Sequence, residues 1–292
     1  MAAPSPAPAP PVMSAAVTAY ALHVPGDKPG TLPAALRGPA CDGPEAAELL
    51  GRKGLLAKDQ ATRLALCAVH RALGRPPRAP RPTGPADPGA AVVVSSNLGN
   101  VATVAKIARE TLDQGPRAVS PMDAPGASSN VIAGAIAVWF RLGGPNLTVC
   151  SGATAGLDAV RLACLLLRAG RARRVVVVGV EPDDADAALL HAARAGAPPG
   201  VPLRAAAACL VLEPAEAARA PVIELGRFAG REDAPAAWTP GELAGDLGDT
   251  YGAAGVLLTG LAVADVEGGG GPTRVICGDP EDGRRELLVR PR

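Results

Sequence analysis

Three short apolar runs rich in β-branched or small residues, at 91–96, 175–180 and 207–213, constrain this chain more than any other feature. Each has the length of a strand, and none alternates apolar with polar residues. That is the pattern of strands covered on both faces. Between and around them lie stretches with helical spacing at 101–112, 130–139 and 155–169, the last preceded by a short strand at 147–150. Upstream, 16–22 reads as a strand and 58–73 as an amphipathic helix. Downstream, strands near 221–225, 274–276 and 286–289 accompany a helix near 251–262. Buried strands alternating with helices make the chain α/β, with a mixed or mostly parallel sheet covered on both faces.

With only two Trp, two Tyr and two Phe in 292 residues, the core has to be built from Ala, Val and Leu, which favours close helix–sheet packing. A chain of this length can bury a sizeable core. Its 29 basic and 28 acidic residues leave a net charge of +1, which supplies no electrostatic reason for nucleic-acid or membrane partners. Residues 1–12 alternate Pro and Ala and read as a disordered tail, without the basic start and continuous apolar stretch of a secretory signal. No apolar run approaches the roughly 20 residues that span a bilayer, so the expectation is a cytoplasmic protein. The Pro-rich connector at 75–88 carries Arg75, Arg78 and Arg81 and reads as a surface loop.

Cysteines at 41, 67, 150, 164, 209 and 277 form no C-x-x-C pair, and His23, His70 and His191 lie far apart in sequence. Metal-ligand spacing is absent, and most of the cysteines read as small buried hydrophobes. Neither a dinucleotide fingerprint nor a P-loop occurs, and no cofactor is implied.

Residues 119–181 carry an ordered set of motifs: Ser120-Pro121, Asn130 nine residues on, Gly144-Pro145, the turn C-S-G-A-T-A-G-L-D-A at 150–159, Gly170, and Glu181 at the end of a strand. The run G-D-T-Y-G-A-A-G follows at 248–255. Together they resemble the β-ketoacyl synthases, well over 90–215 and weakly over 244–292. The resemblance implies an α/β, thiolase-like (ketoacyl synthase) layered αβαβα fold with a shortened C-terminal half. Residues 13–292 would form a single domain, with halves at about 13–215 and 216–292.

In that family a cysteine thiolate sits at the N-terminus of a buried helix, where the dipole and backbone N–H groups lower its pKa and stabilise an oxyanion. Two histidines and a lysine assist decarboxylation of the extender unit. The resemblance places Ala153 at the nucleophile, Asp249 at one histidine and Ala244 at the lysine. The other histidine has no counterpart: none follows His191, and nineteen residues separate Phe228 from Gly248.

A chain lacking every catalytic group resembles the chain-length factors of type II polyketide synthases, and its short second half resembles those of polyene-forming, highly reducing systems. The implied partners are an active ketosynthase, in a heterodimer, and an acyl carrier protein. Leu98, Met122, Asp123 and Ala124 align with positions that face the partner's tunnel. Asn130, Ala133, Gly134 and Ala137 line the adjoining helix, where small residues equally serve tight packing. Asp123 needs a partner or water if it sits near an apolar tunnel. Two alternatives stay open: a thiolase-like acyltransferase using Cys150, and a homodimeric scaffold that holds acyl carriers.

Overall fold

The computed structural model describes residues 13–24, 44–216, 219–226 and 237–292; the Pro/Ala tail, Cys41 and the segment 227–236 lie outside them. Among the described residues nine strands form one sheet: β1 (Met13–His23), β2 (Ala90–Ser95), β3 (Asn146–Val149), β4 (Arg174–Glu181), β5 (Ala206–Glu213), β6 (Val222–Leu225), β7 (Ala237–Trp238), β8 (Thr273–Asp279) and β9 (Gly283–Arg290). Their order is β3-β2-β4-β5-β1-β6-β9-β8-β7. The sheet is mixed. β2 runs parallel to β3 and β4, and β7 parallel to β8, while the remaining neighbours are antiparallel.

The eight α-helices of the described residues are α1 (Pro44–Leu50), α2 (Gln60–Ala72), α3 (Val101–Gln114), α4 (Val131–Phe140), α5 (Ala155–Arg168), α6 (Ala185–Ala192), α7 (Pro240–Leu247) and α8 (Ala254–Glu267). Strand β4 shows why the apolar runs are continuous. Val176, Val178 and Val180 pack into a cluster with Leu64 and Leu66 of α2 and Ile136 and Trp139 of α4. On its other face, Val175 and Val177 meet Leu157 and Val160 of α5 and Leu257 and Leu258 of α8. Alternate valines therefore serve two cores.

The sheet wraps around α5 and α8, which form the middle layer. Helix α8 packs on β4 and β5 of the first half and on β8 and β9 of the second. Eleven of its fourteen residues are buried, as expected of a helix that is apolar all round. Two glycines allow the crossing of α5 and α8. A Cβ on Gly156 would lie 2.7 Å from the Gly255 backbone, and one on Gly255 would lie 2.6 Å from the Leu157 nitrogen.

The second half repeats the antiparallel β1/β5/β4 pattern as β6/β9/β8, with β7 parallel to β8 as β2 is to β4. It is shorter by one strand. The layered thiolase-like architecture is present, and among the described residues its last layer is thinned. The helices packed on β8 and β9 are α8 and α5, both from the inner face. On the outer face Glu224, Arg274, Glu286 and Arg290 are half-buried and alternate with apolar residues of the inner face, and Arg290 Nε donates to Glu224 Oε1 at 2.5 Å. Among the described residues, continuous apolar strands with helices on both faces belong to the first half.

Elements α1, α6, α7 and β7 go beyond the sequence expectations. Helix α7 does carry a legible start, since Thr239-Pro240-Gly241-Glu242 closes a capping box. The connector at 75–88 is on the surface but pinned. Pro76 O bonds His70 Nε2 at 2.9 Å, the Arg78 N–H donates to Leu49 O at 2.7 Å, and the Arg81 guanidinium lies 3.4 Å over the Trp139 ring.

Gly156→Ala is expected to cost about 1–3 kcal/mol through overpacking at the helix crossing. Gly134→Ala, with nothing within 4 Å of its added Cβ, should be neutral or stabilise the isolated chain by about 0.5–1 kcal/mol. Urea unfolding of the two variants measures the contrast.

Candidate functional site

Strand β3 ends at Val149, and the chain passes through Cys150 and Ser151 into a 3-10 turn, Gly152–Thr154, that runs into α5. Gly152 has φ +66°, and Asn97 clamps it from both sides. Asn97 Nδ2 donates to Gly152 O at 3.0 Å, and the Gly152 N–H donates to Asn97 Oδ1 at 3.0 Å. The next N–H, that of Ala153, donates to Asp282 Oδ2 at 2.7 Å. In the first turn of α5, Asp158 accepts from Ser151 Oγ and Thr154 Oγ1, each at 2.8 Å, and from Arg285 Nε at 2.8 Å. Burial raises the Asp158 carboxyl, but the bonds from Ser151, Arg285 and Thr154 outweigh it and hold the group below its ordinary value.

Helix α8 starts the same way, through a 3-10 turn at Tyr251–Ala253. Just before it, Asp249 Oδ1 accepts the Tyr251 N–H at 2.7 Å, and Oδ2 accepts His191 Nε2–H at 2.8 Å. Burial alone would raise Asp249. The bonds from His191 and Tyr251, with the charges of His191 and Arg194, instead keep it lowered. The Arg194 guanidinium lies 3.7 Å over the Tyr251 ring and 2.7 Å from Asp279 Oδ2. It is also 3.8 Å from Asp282 Oδ2 and 4.0 Å from Asp249 Oδ2, so one cation serves three carboxylates.

Ala153, Ala244 and Asp249 line one cavity of about 170 Å³, together with Arg194, Tyr251 and Asp279. On the other side of Gly152 an open cleft of about 570 Å³ is bordered by Leu98, Cys150, Asp282 and Arg285. Behind that cleft, fully buried Glu181 accepts the N–H groups of Asn97 at 2.7 Å and Leu98 at 3.0 Å, and Ser96 Oγ–H at 3.2 Å. Burial pushes its carboxyl up to about 7 despite these donors. Cys150 is exposed and its thiol lies 3.1 Å from Ser96 O; burial of the sulfur and the nearby Glu181 charge raise its pKa, the reverse of nucleophile activation. Among the described residues no cluster of His, Cys, Asp and Glu is arranged to hold a metal, and no helix is long and apolar enough to cross a membrane.

The sequence matches the family model "Beta-ketoacyl synthase, N-terminal domain" over residues 41–201, more than half of the chain. The chain belongs to the β-ketoacyl synthase family. Among curated members, 3-oxoacyl-(acyl-carrier-protein) synthase 2 of Coxiella burnetii is 29% identical over 94 residues, covering 32% of this chain and 23% of that protein. The Rhizobium meliloti protein of the same description is 31% identical over 90 residues, or 31% of this chain and 21% of that one. The matched stretch thus spans less than a quarter of these relatives' length. Solved ketosynthase structures extend the likeness at the level of fold. The ishigamide ketosynthase/chain length factor superposes with a TM-score of 0.72 at 22% identity, covering 94% of this chain and 98% of that one. The AntDE:AntF complex, a type II acyl-carrier protein with its ketosynthase, gives 0.66 at 13% identity, covering 96% and 99%. The ketosynthase ApeO in complex with its chain length factor ApeC, from Xenorhabdus doucetiae, gives 0.51 at 19% identity, covering 69% and 79%.

Seen as a ketosynthase-family chain, the three positions assigned to catalysis by resemblance meet in one place, and the eight tunnel candidates do not. Leu98 is 8% exposed and borders the open cleft. Met122 is 73% exposed, and Ala124 is exposed beside it. Asp123 has the partner it needs, Lys106 Nζ at 2.6 Å. Asn130 ties α4 to the edge strand, donating to Asn146 Oδ1 at 2.6 Å and accepting from Thr148 Oγ1 at 2.7 Å. Ala133 is fully buried in the α2–α4 core, and Ala137 packs against it. Gly134 faces open space.

Sequence reading missed His191, Arg194, Asp279 and Asp282. His191 lies 58 residues from Asp249, and Asp282 lies 129 from Ala153. No local spacing signals either pairing.

Because the Asp249 pKa is lowered in the folded chain, the native state binds fewer protons than the unfolded one between its folded value and pH 3.8. Its contribution is therefore present above that pH and lost as pH falls through the folded value. Asp249→Asn should flatten the acid limb of stability, read as a shallower fall in melting temperature between pH 5 and 3.

Proposed function

We propose that this chain is a non-catalytic chain-length factor. It pairs with an active ketosynthase, completes the wall of the partner's acyl tunnel and limits chain growth during decarboxylative condensation on an acyl carrier protein. The observation that carries this reading is the cavity at the head of α5, where the three positions of family chemistry hold a methyl group at Ala153, another at Ala244 and a carboxylate at Asp249. A methyl group forms no thioester, and a carboxylate tied to His191 and the Tyr251 N–H is committed to structure.

A surface left exposed among the described residues supports the pairing. Strand β3 is a four-residue edge, with Leu147 37% exposed. Beside it, α4 presents Gly134 and Val138, the latter 75% exposed, and Met122 lies on the loop leading to that helix. Edges of this kind are templates for pairing. The aligned tunnel residues Leu98, Met122, Asp123 and Ala124 then act sterically, deciding where a growing chain stops. The polyene-forming class of system fits the short second half, and the cytoplasm is the compartment the role implies.

An acyltransferase using Cys150 has an accessible thiol in its favour, but that thiol is tied to Ser96 O and its pKa is raised. Intact-mass measurement after incubation with an acyl thioester separates the readings, with no adduct expected.

The deciding experiment reconstitutes the chain with an intact Cys-His-His ketosynthase and its carrier. Met122→Trp should shorten the products and Met122→Ala lengthen them, by chromatography and mass spectrometry; an unchanged distribution across both rejects control of length. Val138→Asp should weaken the pair by about 1–3 kcal/mol, since it buries a carboxylate at the interface. Analytical ultracentrifugation reads that loss, and would reveal a homodimeric scaffold as a stable dimer without synthase.

A further inference from the structure

We propose that Asp282 is an internal plug: its carboxylate occupies the anion position at the head of α5, so this chain could not receive an acyl oxyanion there even if it were given a nucleophile. The inference rests on the reading of Ala153 as the vestigial nucleophile position, and goes beyond it by naming a second barrier to chemistry.

The geometry carries the argument. In an acyl transfer at this place, a thiolate attacks the thioester carbonyl and the carbonyl oxygen becomes an oxyanion. The intermediate then expels the leaving thiolate, which takes up a proton. The oxyanion needs a free N–H at the helix head. Here the Ala153 N–H is bound to Asp282 Oδ2 at 2.7 Å. The carboxylate lies so close over the turn that a Cβ on Gly152 would stand 2.0 Å from the same oxygen. Glycine at 152, with φ +66°, is what lets it in.

Asp282 is also firmly placed. It ends the three-residue turn 280–282 between β8 and β9, and its own N–H donates to Asp279 Oδ1 at 2.7 Å. Asp279 Oδ2 is bonded to Arg194, which stacks on Tyr251 and neighbours Asp249. A helix N-terminus favours an anion, and the fold supplies one from its own hairpin.

The test places a thiol at the site and measures its ionisation. Ala153→Cys is made in a Cys150→Ser background, alone and combined with Asp282→Ala or Asp282→Asn, and the pH dependence of iodoacetamide alkylation at position 153 is followed by peptide mass. Asp282→Ala frees the N–H, while Asp282→Asn removes only the charge and keeps the shape of the turn. Melting curves confirm that each variant is folded.

The alkylation midpoint is expected to fall by about one pH unit or more with Asp282→Ala, and by less with Asp282→Asn. In the Asp282→Ala combination alone, an acyl thioester should leave a single adduct at position 153. Midpoints that agree within about 0.3 of a unit across folded variants overturn the plug, because a neighbouring carboxylate controlling the site must move the thiol. That result leaves the chain-length-factor reading standing. An acyl adduct on the unmodified chain overturns that reading and leaves the plug untouched.

Discussion

The crossing of α5 and α8 is the contact on which the rest of the molecule depends. The two helices are the only layer shared by both halves of the sheet among the described residues, and they meet backbone to backbone at Gly156 and Gly255. A side chain on either glycine would push the helices apart. The sheet that wraps them could then no longer keep Val175 and Val177 on one side and Val275 and Leu287 on the other within a single core. Close approach also explains the scarcity of aromatic residues. A middle layer held at backbone contact has room for Ala, Val and Leu, and little room for rings.

Bringing two helix heads together concentrates the positive ends of two dipoles at one place. The structure answers with carboxylates. Asp282 sits on the Ala153 N–H, Asp249 on the Tyr251 N–H and Asp158 inside the first turn of α5. Three of the acids around these heads (Asp249, Asp279 and Asp282) share Arg194, which is itself held against Tyr251. The head of α5 is thus electrostatically closed from within, whereas a catalytic member of the fold has to leave an N–H open for substrate. In the proposed reading, the methyl group at Ala153 and the carboxylate of Asp282 on its N–H are separate features of one site, and they point the same way.

Most of the first half was legible in the sequence because its strands are buried on both faces and announce themselves as unbroken runs, as in Val175–Val178 of β4. The ordered motifs from Ser120 to Glu181 added the family. The second half was harder to read for a physical reason. With one face polar, β8 and β9 alternate Arg274 and Glu286 with Val275 and Leu287, so they read as short fragments of the strands they are. The positions that the motifs pick out, Ala153, Ala244 and Asp249, line one cavity. His191 and Asp282 were not legible, because their partners are supplied by the fold over long sequence separations. Helix α6 hid for a simpler reason: with Leu189 69% exposed and only Ala187 and His191 buried, it has no apolar face to betray it.

The two ends of the sheet are built for different neighbours. At the β6–β9–β8 end the outer face is charged, with Arg290 paired to Glu224. At the other end β3 is a bare edge, α4 turns Gly134 and Val138 outward, and α3 has no buried residue at all despite apolar positions such as Val104 and Leu112. Under the role proposed above, the face built by β3 and α4 is the one on which a partner would seat.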